Sequence, residues 1–273
     1  MTYTGLIKTG TEPYLFSRGP QACLIVHGFN SSTRENREMG QWLADQGFTV
    51  LGIRLPGHAT TPADMRRVRW TDWLAALEDG WNLLKGLSDH VFIMGQSLGG
   101  VLTMVAGSRY AFDGVIGIST PYSLLQGWQA RLLHPGLLRF ASLFLPEINK
   151  PALSDNSDEL DERAPGVDLD PYPRYVTHAL AEVLELIEVM HDGLPQITAP
   201  LLLIQGRHDI VVEKDAMHLF GERVSSKQKE YLWMENSGHG ITLSPEREIA
   251  FKAILEFIKH VERGQRLPEG EPG

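Results

Sequence analysis

Short apolar runs and helical stripes alternate along most of this chain. The runs Ala22–His27, Phe48–Ile53, His90–Met94, Gly114–Ile118, Leu201–Gln205 and Glu230–Met234 have the length and composition of strands. Between them, apolar residues recur at helical spacing. Trp70, Trp73, Leu74, Leu77, Trp81 and Leu84 repeat at steps of three and four, which predicts a helix over Trp70–Leu84 with one face on the sheet. Ile249, Ala250, Ala253, Ile254, Phe257 and Ile258 repeat the spacing and predict a closing helix, with Ser244 as N-cap and Pro245 at the first helical position. Strands alternating with helices in this way give a mostly parallel sheet flanked by helices, an α/β fold.

The alternation breaks between Pro121 and Gln196, where the pattern offers no strand and the chain turns apolar without sheet spacing. That stretch reads as an inserted, mainly helical cap. The expected division is a core of residues 1–120 and 197–263, a cap of residues 121–196, and a frayed tail of residues 264–273 rich in Gly, Pro and Glu. The first half of the cap holds Leu124, Leu125, Trp128, Leu132, Leu133, Leu137, Leu138, Phe140, Leu143, Phe144 and Leu145, more bulky apolar side chains than one short helix can bury. They either pack on the core or line an apolar pocket; Trp128, Leu132 and Leu145, with Phe29, are the candidates for substrate contact. In the second half, Val176, Leu180, Val183, Leu184, Ile187 and Met190 make an amphipathic stripe over Tyr175–His191, with Glu182, Glu185 and Glu188 expected to face water. The acidic stretch Asp155–Asp170 reads as a solvated loop.

Composition narrows the classes of function. A chain of 273 residues, 42% hydrophobic and 22% charged, has ample material for a buried core. The net charge of −9, without clustered Lys and Arg, argues against a nucleic-acid partner and favours small neutral substrates. Cys23 is the single cysteine and lies in an apolar run, so it is read as a buried structural side chain, and no intramolecular disulfide or thiol chemistry follows. Residues Met1–Pro20 lack both a basic start and a continuous apolar stretch; the pattern predicts neither a secretory signal nor a membrane span, and a cytoplasmic location.

The candidate chemistry begins at residues 93–100, where an apolar strand runs into Gly95-Gln96-Ser97-Leu98-Gly99 and then an apolar helix over Leu98–Tyr110. This is the G-x-S-x-G pattern of a strand-to-helix turn that exposes a serine nucleophile, and the two glycines are a steric demand, because a Cβ at either would clash. Ser97 is therefore the candidate nucleophile. A serine hydroxyl attacks an acyl carbon only when a neutral imidazole takes its proton and a carboxylate orients that imidazole. Asp209, in the turn Gly206-Arg207-His208-Asp209 after a strand, is the candidate acid; His239, in Asn236-Ser237-Gly238-His239-Gly240 after the next strand, is the candidate base. Asp215 and Glu213 are weaker rivals, because they sit where a helix begins and acids there commonly offset its dipole. Among the ten histidines, His208 precedes the acid, His134, His178 and His191 fall in the cap, His218 and His260 lie in helical patterns and His90 starts a strand. The backbone N–H groups of Leu98 and of Phe29, in His27-Gly28-Phe29-Asn30, are the candidate oxyanion donors, and His27 is read as structural.

Taken together, Leu24-Ile25-Val26-His27-Gly28-Phe29, Leu55-Pro56-Gly57-His58, Gly95-Gln96-Ser97-Leu98-Gly99-Gly100, Gly206-Arg207-His208-Asp209 and Gly238-His239 resemble the α/β-hydrolase superfamily, in particular bacterial carboxylesterases and monoacylglycerol lipases. The helix before the elbow strand, from Thr71-Asp72-Trp73 to Lys85, is also similar. The cap matches in position and apolar character alone. The resemblance implies the α/β-hydrolase fold, a triad of Ser97, Asp209 and His239, and oxyanion donors at Phe29 and Leu98. It also implies hydrolysis of short to medium acyl esters with monoacylglycerol as the natural example, and no metal or organic cofactor. Where the family commonly has Gly-His-Gly, this chain has Gly57-His58-Ala59. A thioesterase, amidase, carbon–carbon bond hydrolase or perhydrolase would use the same residues, and a noncatalytic receptor on a hydrolase scaffold is the alternative from another class.

Overall fold

Neighbouring side chains on a strand point to opposite faces, and here both faces are covered. The structure, a computed structural model, describes residues 6–124, 134–149 and 172–264. In chain order its elements are β1 (Tyr14–Phe16), β2 (Gln21–Val26), α1 (Arg34–Asp45), β3 (Thr49–Ile53), α2 (Pro62–Met65), α3 (Trp70–Lys85), β4 (His90–Gln96), α4 (Leu98–Gly107), β5 (Gly114–Ile118), α5 (Pro135–Ser142), β6 (Glu147–Ile148), β7 (Tyr175–Val176), α6 (Thr177–Gly193), β8 (Leu201–Gly206), α7 (Ala216–Arg223), β9 (Lys229–Met234) and α8 (Arg247–Glu262). Leu24 and Val26 of β2 and Ile93 of β4 enter one core with Trp73, Leu77, Val101 and Leu102 from α3 and α4. Cys23 and Ile25 of β2, with Phe92 and Met94 of β4, enter the other with Met39 and Leu43 of α1 and Phe251, Ile254 and Phe257 of α8. Each such fully buried side chain contributes about 1.5–3 kcal/mol relative to exposure. Cys23 is wholly buried, as its apolar setting predicts, and burial pushes its thiol pKa up, away from thiolate chemistry.

The central sheet has seven strands in the order β1-β3-β2-β4-β5-β8-β9. All its neighbours pair parallel except β1, which runs antiparallel to β3 with Tyr14 opposite Gly52. The chain leaves β2 for β3 on one side and comes back to β4 on the other, so the order reverses between β2 and β4. Crevices for ligands in open α/β sheets open at such a point, outside the carboxyl ends of the strands. Val26 pairs with Gly95 there, which sets the loop after β2 beside the turn after β4.

Between β5 and β8 the pattern predicted no strand. The structure has two short ones: Glu147-Ile148 pairs antiparallel with Tyr175-Val176, two residues a side, too brief to leave a period in the sequence. Helix α6 is as amphipathic as expected, with Val183, Leu186, Ile187 and Met190 in the same core as β2 and β4. Glu182, however, does not face water. Its side chain is fully buried, accepting hydrogen bonds from Trp70 N–H of α3 at 3.1 Å and from Arg139 Nε and Nη2 of α5 at 3.0 and 2.7 Å. The closing helix also differs in detail. It starts at Arg247 with Glu246 as N-cap, because Ser244 ends a 3-10 turn over Ile241–Leu243. Its buried face takes in Phe251 and Leu255, whereas Ile249 is 52% exposed.

Candidate active site

Strand β4 ends at Gln96 and α4 begins at Leu98, leaving Ser97 alone in the turn with φ 56° and ψ −119°. That left-handed φ costs a non-glycine residue on the order of 1–3 kcal/mol, held here because Ser97 N–H donates to Ile118 O at 2.9 Å and Ser97 O accepts from Val101 N–H at 3.1 Å. The flanking glycines are obligatory: a Cβ on Gly95 would lie 2.3 Å from Gly99 C and O, and one on Gly99 would lie 2.2 Å from Val26 O.

Asp209 and His239 come to the same edge from the loops after β8 and β9. These loops meet at Gly206, where a Cβ would lie 2.2 Å from Ser237 O. The Asp209 side chain is fully buried; Oδ1 accepts the N–H groups of Val211 and Val212 at 2.8 and 3.0 Å, and Oδ2 faces His239 Nδ1 at 2.9 Å. With its proton on Nδ1, the imidazole keeps a lone pair on Nε2. Burial disfavours the imidazolium, but the Asp209 carboxylate and, from further away, Glu35 outweigh it and raise the His239 pKa above 6.5. Gln96 ties this loop to the serine turn, its Oε1 accepting Thr242 N–H and Oγ1 at 3.1 Å each. Ser97 Oγ and the imidazole are not hydrogen-bonded to each other, and His239 makes its hydrogen bond to Asp209.

The loop after β2 is held from beneath. His27 is fully buried, with Nδ1 donating to Gly28 O at 2.9 Å and Nε2 accepting Leu55 N–H at 3.1 Å. Burial pushes its pKa down to about 4, so it is a neutral strut, as expected. Leu98 N–H belongs to the first turn of α4, which the helix leaves unpaired, and Phe29 N–H donates to no backbone carbonyl among the described residues. The Phe29 ring packs edge-on to His58 and Trp73 and lies 5.7 Å from Tyr175. Asn30, at φ 55°, exchanges two hydrogen bonds with the Tyr172 backbone, at 3.1 and 2.9 Å, and Tyr172 Oη donates to Gly57 O at 2.7 Å. In the turn that departs from Gly-His-Gly, Ala59 takes φ 54°, with the strain that a glycine would avoid.

A model of the hydrolase family described as serine aminopeptidase S33 matches residues 19–246. The chain belongs to that α/β-hydrolase family. Over 93% of its length this hydrolase is 28% identical to a thermostable monoacylglycerol lipase of Bacillus sp. (strain H-257), covering 97% of that protein. It is 24% identical to a carboxylesterase of Bacillus subtilis (strain 168) over 92% of its own chain and 97% of the relative. A solved structure of a metagenome-derived lipolytic enzyme superposes with a TM-score of 0.82 at 29% identity, covering 93% of this chain and 99% of that one. The fold and the superfamily expected from the motifs are both met.

The rival residues of this hydrolase have other partners. Asp215 is the N-cap of α7, the dipole position that the sequence suggested. Glu213 is buried near the Tyr122 and Ser123 backbone, and desolvation raises its pKa. His90 faces Asp113, His218 faces Glu222, His191 Nε2 donates to Tyr122 O, and His134 Nδ1 caps α5 by accepting Gly136 N–H. Of the pocket candidates, Leu145 is 59% exposed, and Trp128 and Leu132 lie outside the described residues, as does the acidic stretch Asp155–Asp170. Motif reading missed Gln96, the Asn30–Tyr172 clamp and Glu35, which resemble ordinary loop and first-turn residues in the sequence.

Proposed function

We propose that this hydrolase cleaves carboxylic esters through an acyl-Ser97 intermediate. The observation that carries the reading is the strained Ser97 turn on the same sheet edge as the Asp209–His239 pair, whose 2.9 Å contact leaves one imidazole nitrogen basic. In the first step Ser97 Oγ attacks the ester carbonyl carbon while His239 Nε2 takes the hydroxyl proton. The Phe29 and Leu98 N–H groups meet the tetrahedral oxyanion, each donor being worth about 3–4 kcal/mol. Collapse breaks the carbon–oxygen bond, and His239 returns the proton to the departing alcohol. Water then attacks the acyl carbon, passing its proton to the same imidazole, and the acid leaves as Ser97 regains its hydroxyl. Asp209 stays ionised throughout and holds the Nδ1 tautomer.

The substrates proposed are neutral esters of short to medium acyl chain, with monoacylglycerol among them. Residues 121–196 are proposed to act as a cap, with α6 as its anchor on the core and Phe29 as one wall of the site. The similarity to a carboxylesterase and a monoacylglycerol lipase, and the net charge of −9, support this choice. No helix among the described residues is long and apolar enough to cross a membrane. The family's aminopeptidase name keeps amides as the second reading. A panel of matched esters, thioesters and amides decides between them: oxygen esters are expected to turn over fastest, and a preference for either other class would displace the proposal.

A further inference from the structure

Glu35 is a carboxylate that the three proposed catalytic residues do not use, 6% exposed in the first turn of α1 beneath the loop after β2. A carboxylate removed from water must be met by donors or positive charge, or it neutralises. Its Oε2 accepts Gly28 N–H at 2.6 Å, a charge-assisted distance, and the side chains of Ser31 and Gln96 lie beside it. The carboxylate lies against Gly28, where a Cβ would be 3.3 Å from both its oxygens and 3.5 Å from Gln96 O, the carbonyl before Ser97. The ionisable group whose charge acts on it is His239, from the loop after β9; Asp209, from the loop after β8, meets that imidazole through Nδ1. The other charges on α1 are engaged elsewhere: Arg34 with Thr9 O, Arg37 over the Tyr14 ring, Glu38 with Arg247 of α8, and Asp45 with Gln41 Nε2.

We propose that Glu35 is a second carboxylate for His239, a positioning residue that tethers the Gly28–Phe29 loop through its amide and, as an anion, stabilises the imidazolium form of the base. The two roles meet in one side chain. Asp209 sets the tautomer by direct contact, whereas Glu35 acts across the site and couples the charge on the base to the loop that faces the substrate oxyanion. Burial is the largest influence and raises the Glu35 pKa above the usual carboxylate value, while Gly28 N–H and the imidazolium draw it back toward the anion. Its effect is therefore greatest when His239 carries the serine proton. The inference rests on His239 being the base.

Glu35→Gln keeps the shape and an acceptor for Gly28 N–H but removes the charge; Glu35→Ala removes both. With p-nitrophenyl butyrate, Glu35→Gln is expected to move the acid limb of kcat/KM down by about one pH unit. At pH ~8 it should lower kcat by about threefold to tenfold with KM within about twofold. Glu35→Ala should lose more, because Gly28 N–H is left unpaired. An acid limb that stays at its wild-type position in Glu35→Gln overturns the charge coupling. Nuclear magnetic resonance titration of His239 in the Asp209→Asn protein tests the same point without activity and without altering Glu35. With Glu35 acting alone, the imidazole should titrate within about one unit of the histidine reference value; a fall of about two units or more means that burial is unopposed and overturns the proposal. Fluorophosphonate labelling of the wild type separates the two readings, since its failure removes Ser97 as nucleophile whatever His239 titrates to.

Discussion

At the scale of single residues the site works by opposing burial with charge. Asp209 is anchored by two backbone N–H groups and so presents a fixed oxygen to His239. Replacing it by Asn should leave the fold intact but favour the wrong tautomer, cutting turnover by about 10⁴, measured as kcat on a fixed ester. A loss of only about tenfold would shift the orienting role to Glu213 or Asp215. The pH dependence has a definite sign. Because the partners of His239 raise its pKa above 6.5, the imidazole stays protonated and inactive further into the neutral range, so kcat/KM should rise with pH through a midpoint above 6.5. A flat profile from about pH 5 to 8 would remove His239 as the base. The same shift links to stability: its contribution is full below the unfolded value and is lost as pH rises through the folded one.

At the scale of elements, contacts between backbones set tolerance. Gly99 sits where α4 meets the end of β2, and Gly99→Ala would place a Cβ 2.2 Å from Val26 O. Neither backbone has a side-chain end to give way, so this variant should lose several kcal/mol of stability (about 3 or more), read as the urea midpoint. A change under about 1 kcal/mol would show that the elbow can open. Five of the six long strands were legible because each is a nearly continuous apolar run, buried on both faces, as Leu201–Gly206 is, whereas Lys229–Met234 at the sheet edge is half-buried and was legible from its large apolar residues Tyr231, Leu232, Trp233 and Met234. Tyr14–Phe16 was not, since three residues at an edge carry no period. Glu182 misled for a different reason. Spacing puts it where a helix usually meets water, and only the tertiary partners Arg139 and Trp70 make its burial affordable. The triad candidates were legible from chain order and glycine-rich turns. Glu35 was not, because a first-turn acid reads as a dipole partner until Gly28 and His239 are seen beside it.

At the scale of the whole molecule, the parallel sheet brings the loops after β2, β4, β8 and β9 to one edge, and described residues of the segment after β5 are tied to the loops there. Tyr172 joins Asn30 and Gly57, while Glu182 joins α3 to α5, so contacts from that segment reach the loop carrying Phe29. On its outer side, Leu137, Phe140, Leu143 and Phe144 are each more than half exposed. The central claim is that this edge makes Ser97 a nucleophile. Its most direct test is intact-mass and peptide mass spectrometry after treatment with a fluorophosphonate ester, with Ser97→Ala run in parallel. One phosphonyl group on Ser97, and none on the Ala variant, is the predicted result. An unmodified protein, or an adduct on another residue that survives in Ser97→Ala, would contradict it.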